Sequence, residues 1–168
     1  MTNQEILLEA VELRKNYRRG GGAFAQSDSG GQFTAVDGIS FQIVTGETFA
    51  VVGESGCGKT TLARMLLRLV EPDSGKIMFA GRDLTTINGT ELRAARQQLQ
   101  MVFQDPFASL NPRMRVGEIV AEPLAIHEPK LTGRERTQRA LAMLERVGLS
   151  PEFAARYPHE FSGGQRQR

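Results

Sequence analysis

A chain of 168 residues with 40% apolar side chains has room for one domain with a real core. Its 21 basic and 19 acidic residues leave a net charge of +2, too small to argue for a nucleic-acid partner even with a pI near 9.0. A single cysteine, Cys57, excludes an internal disulfide and a cysteine-only metal site and fits a reducing, cytoplasmic setting. No apolar run reaches bilayer length, and the first residues lack the apolar stretch of a signal peptide.

In chain order, residues 6–13 begin with an apolar run and then alternate, which predicts a strand ending at Arg14, Lys15, Asn16 and Tyr17. Residues 18–33 are rich in Gly, Ser and Gln and read as a loop. Val36, Ile39, Phe41 and Ile43 mark a second strand, and Thr45, Gly46 and Glu47 form a turn. Thr48, Phe49, Ala50, Val51 and Val52 then make a short apolar run with the character of a buried parallel strand.

The next eight residues, Gly53, Glu54, Ser55, Gly56, Cys57, Gly58, Lys59 and Thr60, match the pattern G-x-x-x-x-G-K-[ST] at every fixed position. Good helix formers follow over residues 61–69. Strand, glycine loop and helix together make an anion cradle, because glycines let backbone N–H groups turn inward and the helix N-terminus adds partial positive charge. In such a loop Lys59 reaches the β- and γ-phosphates of a nucleoside triphosphate, and the Thr60 hydroxyl is placed to bind Mg²⁺. Cys57 fills a free position of the pattern and reads as a small side chain rather than a redox sensor.

Residues 71–75 form a dense turn cluster before a short strand over 76–80; residues 92–98 read as helix, and 99–103 as another buried strand. Beyond Asp105 and Pro106 the pattern turns helical. A short helix is predicted over 116–124. A capping box of Thr132 and Glu135 opens a helix on which Ala140, Leu144 and Val147 share an apolar core face, with Gly148 as its stop. His127 and His159 lack paired-ligand spacing and read as surface or packing residues. Ser162 and Gln165 form a second capping box, with Gly163 and Gly164 in the first turn leaving backbone N–H groups uncovered.

Together with the upstream phosphate loop, Phe161, Ser162, Gly163, Gly164 and Gln165 resemble the LSGGQ signature of ATP-binding cassette (ABC) proteins, with Phe161 in place of the usual Leu. Met101, Val102, Phe103, Gln104, Asp105 and Pro106 look like the family's Q-loop, whose Gln contacts Mg²⁺ and the attacking water. An amide suits that task, since it accepts and donates at once. Reading Asp105 as a Walker B aspartate is less apt, because the strand ends in Gln104 and a proline follows. Tyr17 resembles the aromatic that stacks on adenine, against a plainer role closing a strand. Residues 104–113, with Glu122, Pro123 and Leu124 and the run 156–165, are similar to ATPase subunits of oligopeptide, dipeptide, glutathione and nickel importers.

The resemblance implies an α/β P-loop NTPase of ABC type. It would have an antiparallel β-subdomain, a RecA-like parallel-sheet core that is incomplete here, and a helical subdomain from about residue 106 onward after a first part of about residues 1–105. It implies ATP and Mg²⁺ as ligands. Nucleotide contacts would come from Tyr17, Gly53, Glu54, Ser55, Gly56, Cys57, Gly58, Lys59, Thr60, Thr61 and Gln104, and metal contacts from Thr60 and Gln104. Ser162, Gly163, Gly164 and Gln165 would act on the ATP of a facing subunit. The implied partners are a second ABC ATPase subunit, transmembrane permease subunits and, indirectly, a solute-binding protein, at the cytoplasmic face of the cell membrane. The family's Walker B Asp and catalytic Glu have no counterpart in these residues. The expectation is therefore the N-terminal part of a longer ATPase, this piece binding ATP without turning it over. A soluble ABC ATPase of DNA repair or the ribosome and an inactive remnant are the alternative readings.

Overall fold

The computed structural model describes residues 5–18, 31–103 and 109–168. Two compact units divide the chain, Met1–Met101 and Val102–Arg168.

The first unit is built on an antiparallel sheet. β1 (Ile6–Arg18) lies between β2 (Gln32–Val44) and β3 (Ser74–Phe79), with the two-residue β4 (Arg82–Asp83) outside β3. Leu8 and Ala10 point into the core two residues apart, as strand alternation demands, but the next inward residue is Leu13. A bulge explains the step: three residues of β1 run from Ala10 to Leu13 while β2 moves only from Phe41 to Ile39, and Glu12 takes a left-handed φ of 48°. Without that extra residue Glu12 would occupy the buried position. Val36, Ile77 and Phe79 complete the sheet's inner face, against Leu62 and Met65 of α1 (Lys59–Leu66).

α1 ends on Arg68, a buried left-handed residue with φ 53°. Its N–H donates to the Met65 carbonyl and that of Leu69 to the Arg64 carbonyl, both at 2.8 Å, which is the Schellman pattern usually built on glycine. The side chain accounts for an arginine here. Its guanidinium donates to the Leu84 carbonyl and, at 2.9 Å, to Glu71. The carbonyls of Leu67 and Arg68, left over by the helix end, accept from Arg96 at the close of α2 (Gly89–Arg96) at 3.4 and 2.6 Å.

Residues 48–52 and 99–103 do not form the expected buried strands. Neither joins a β-ladder among the described residues, and Val52 and Val102 are 91% and 96% exposed. Both are apolar enough for two-sided burial, yet a strand also needs a neighbour for its N–H and C=O groups. All pairing among the described residues is antiparallel, so the parallel layer is absent there.

Asp73 ties the turn before β3 to β1. Its carboxylate accepts from Lys15 Nζ at 2.7 Å and from the Asn16 N–H at 2.6 Å, and these bonds hold its pKa below the ordinary carboxylate value. A depressed pKa contributes stability above the unfolded value that is lost as pH falls through the folded one. Acid titration below about pH 4 should therefore destabilise the protein less steeply when Asp73 is replaced by Asn. Chemical denaturation of both forms at stepped pH measures the two slopes, and equal slopes would contradict this role for Asp73.

The second unit is helical: α3 (Val116–His127), α4 (Gly133–Arg146), 3-10 turns at Pro151–Ala155 and Pro158–Glu160, and α5 (Gly163–Gln167). The predicted capping box starts α4. The Glu135 N–H donates to the Thr132 hydroxyl at 3.3 Å and the Thr132 N–H to the Glu135 carboxylate at 2.7 Å, lowering the pKa of Glu135. Ala140 and Leu144 are buried as expected, but Val147 is 41% exposed. Gly148 adopts a φ of 73° and turns the chain, so Leu149 folds back to donate its N–H to the Leu144 carbonyl at 2.9 Å and takes the core place. Val116, Leu144, Leu149 and Phe161 form this unit's core.

Candidate functional site

The glycine loop leads into α1 through two left-handed glycines, Gly56 at φ 84° and Gly58 at φ 96°. Gly58 is the N-cap, with no side chain to cover the helix start, and no acidic residue lies in the first turn. The intrahelical ladder begins with the Leu62 N–H donating to the Gly58 carbonyl at 2.8 Å. The amides of Lys59, Thr60 and Thr61 precede that ladder, at the positive end of the helix, where an anion is favoured. Gly58 is also demanded by packing. A Cβ there would fall inside the contact radius of the Ala35 carbonyl oxygen on β2.

Lys59 folds over the loop it follows. Its ammonium donates to the carbonyls of Gly53 and Glu54 at 2.8 and 2.7 Å and lies 3.6 Å from Cys57 Sγ. Carbonyl bonds anchor the charge within the loop while leaving it on the side of the helix N-terminus. Cys57 is exposed, and its sulfur would lie 2.6 Å from a Cβ on Gly53, so the thiol sits where the first glycine makes room. Glu54, Ser55 and Thr60 are exposed and Thr61 is half-buried. A bare helix start, a Thr60 hydroxyl without a partner among the described residues and a loop-anchored ammonium fit a polyphosphate with its Mg²⁺. The metal would supply positive charge to the terminal phosphates.

Tyr17 is 40% exposed near the end of β1, opposite Phe33. Ala35, two residues farther along β2, is the residue whose carbonyl meets Gly58. The same end of the β1–β2 pair therefore carries the aromatic and adjoins the loop. Sequence reasoning missed a neighbour of Tyr17 and the carboxylate that holds it. Lys15 places its ammonium 5.7 Å from the ring centroid, and Asp73 holds that ammonium. The i, i+2 spacing of Lys15 and Tyr17 on one strand face was the available signal; the reach to Asp73 spans 58 residues and had none. Gln104, with Asp105, Pro106 and Phe107, lies outside the described residues.

In the second unit, Ser162 caps α5 as its pattern predicts. The Gln165 N–H donates to the Ser162 hydroxyl at 3.3 Å, and the Ser162 N–H to the Gln165 side-chain oxygen at 2.9 Å. Phe161 is buried, edge-on to Phe153 at 5.5 Å, and anchors this corner. Arg166 donates to the Phe161 carbonyl at 3.0 Å and Arg168 to that of Gly148 at 3.3 Å. A Cβ on Gly163 or Gly164 would meet nothing within 4 Å. No packing within the described residues demands glycine there, so their open backbone faces outward.

A glycine loop of this build, opening a helix beside a β-sheet, defines a phosphate-binding loop of a nucleotide-binding protein. The chain belongs to the ABC transporter family, whose profile matches residues 36–168. It is 49% identical over 167 residues to the oligopeptide transport ATP-binding protein AppF of Bacillus subtilis, covering 99% of this chain and 50% of the relative. It is 50% identical over 163 residues to the dipeptide transport ATP-binding protein DppF of Haemophilus influenzae, covering 96% and 48%. The chain thus spans about half the length of the curated relatives it matches. Among solved structures it is similar to the dimeric ATP-binding cassette MJ0796 bound to ADP and Pi, with TM-score 0.76 and 27% identity over 96% of this chain and 66% of that one. It is also similar to cbiO1 of Clostridium perfringens, part of the transporter complex cbiONQ, with TM-score 0.72 and 27% identity over 98% and 59%.

Proposed function

We propose that this chain is the nucleotide-binding part of an ABC transporter ATPase that drives import of oligopeptides or dipeptides. The phosphate loop carries the reading: a bare N-terminus on α1, with Lys59 anchored across it and Gly58 required by its neighbour. ATP lies with its phosphates on Gly53, Glu54, Ser55, Gly56, Cys57, Gly58, Lys59, Thr60 and Thr61, and its base on Tyr17. The Thr60 hydroxyl holds Mg²⁺. Gly163 and Gly164, open where nothing among the described residues needs glycine, allow close approach to the γ-phosphate bound by a second ATPase subunit, with Ser162 and Gln165 fixing the helix start. Peptide as cargo is supported by likeness to the peptide-transport ATP-binding proteins over nearly the whole chain.

The working assembly includes membrane permease subunits and, through them, a solute-binding protein, with the ATPase at the cytoplasmic membrane face. No helix among the described residues is long and apolar enough to cross a membrane. A groove of about 590 Å³ between α3 and α4 is the proposed seat for a short permease segment. Small residues such as Gly117, Ala121 and Ala140 line it together with the charged Arg115, Glu118, Glu122 and Arg136. Uptake of a labelled dipeptide and a labelled pentapeptide by cells carrying the native-length gene tests the function. Loss of uptake with Lys59→Ala is expected; uptake of both peptides unchanged would contradict peptide import.

A further inference from the structure

Three successive residues of β1 are gripped by one turn just before the exposed aromatic. The Asp73 N–H donates to the Arg14 carbonyl at 2.9 Å; one Asp73 oxygen accepts from Lys15 Nζ at 2.7 Å and the other from the Asn16 N–H at 2.6 Å. Lys15 is thereby held where a surface lysine would ordinarily roam, its side chain only 16% exposed. Its ammonium stands over the Tyr17 ring at 5.7 Å from the centroid, within the range of a cation–π contact. Lys15 and Tyr17 share a strand face, so the contact follows from the pleat once Asp73 fixes the lysine.

We propose that Lys15 and Asp73 are positioning residues of the base-binding site, holding the Tyr17 ring by a pinned ammonium on one face and reserving the opposite face for the nucleotide base. This rests on the reading of Tyr17 as the base-stacking residue. An unsupported tyrosine at a strand end samples several rotamers, and stacking then carries the entropic cost of ordering it. The pinned ammonium removes part of that cost before the nucleotide arrives. It also draws on the ring's π-electrons from one side, which favours an electron-rich purine on the other. Lys15 acts on the base through Tyr17, whereas Lys59 acts on the phosphates. The two lysines therefore separate by ligand.

The test is competition of ATP and of inorganic tripolyphosphate against a fluorescent ATP analogue on the native-length gene product. Lys15→Met keeps the aliphatic stem and removes the charge; Asp73→Asn frees the lysine; Lys15→Arg keeps both the ion pair and the cation over the ring. Lys15→Met and Asp73→Asn should each weaken ATP about three- to fivefold and leave tripolyphosphate unchanged, while Lys15→Arg stays near wild type. In a Tyr17→Leu background, Lys15→Met should have no further effect, since its route to the base is gone. Thermal melting of each variant checks that the fold persists, and Lys15→Arg reports even where Lys15→Met is destabilised. Equal weakening of ATP and tripolyphosphate would overturn the proposal, as would a Lys15→Met effect undiminished without Tyr17, or no effect at all. Unchanged ATP affinity in a Lys59→Ala control would instead overturn the nucleotide reading itself.

Discussion

Replacing Lys59 by Ala is expected to lower MgATP affinity by about 10- to 100-fold, the equivalent of a charge-assisted contact worth about 1.5–3 kcal/mol. The ammonium is held by the carbonyls of Gly53 and Glu54, so its charge is already in place when a polyphosphate arrives. Removing it takes away that charge and the donor it gives the Gly53 carbonyl, while the Glu54 carbonyl keeps only the Cys57 N–H at 3.3 Å. Lys59→Arg should not restore binding, because the larger planar guanidinium cannot occupy the space shared by the two carbonyls and Cys57 Sγ. Calorimetric titration of the three forms decides it. Equal affinities would remove the loop from the site.

Gly58→Ala should be among the most damaging single-methyl changes at the described residues of the first unit. The residue sits at φ 96°, where an L side chain costs about 1–2 kcal/mol, and the new Cβ would press into a backbone oxygen of β2 that has no side-chain freedom with which to yield. Overpacking adds about 1–3 kcal/mol, so a loss of about 2–5 kcal/mol in stability is expected, together with loss of nucleotide binding. Gly163→Ala provides the contrast. Its Cβ would meet open space in the first turn of α5, so stability should hold or rise by up to about 1 kcal/mol. Any functional loss from Gly163→Ala would then come from an approaching partner. Denaturant unfolding of both variants checks the pair, and a Gly163→Ala protein as unstable as Gly58→Ala would contradict the assigned roles.

The difference between these glycines shows what the pattern of residues could carry. The spacing of Gly53, Gly58, Lys59 and Thr60 marks the loop without reference to anything else in the chain, and both capping boxes depend on residues three apart. Such features are local and legible. The reason Gly58 cannot be replaced lies in Ala35, far back on β2, which no local pattern discloses. Leu149 displaced Val147 from the core because Gly148 reverses the chain, an effect of one backbone angle on a helical repeat that otherwise predicts Val147. The bulge at Glu12 likewise follows from fitting β1 to two neighbours at once. Residues 48–52 and 99–103 show the same dependence from the other side. Their composition suits a buried strand, but burial comes from neighbours, and none pairs with them among the described residues. At the site, Tyr17 was legible as a strand-end aromatic, while the Lys15–Asp73 pair that holds it joins residues 58 apart.

Photolabelling with 8-azido-ATP, followed by peptide mapping, tests most directly the claim that one nucleotide spans the phosphate loop and Tyr17. The account predicts label in the peptide that contains Tyr17, displaced by excess ATP and lost in Lys59→Ala. Label that persists in Lys59→Ala, or that falls only on peptides distant from Tyr17, would contradict it.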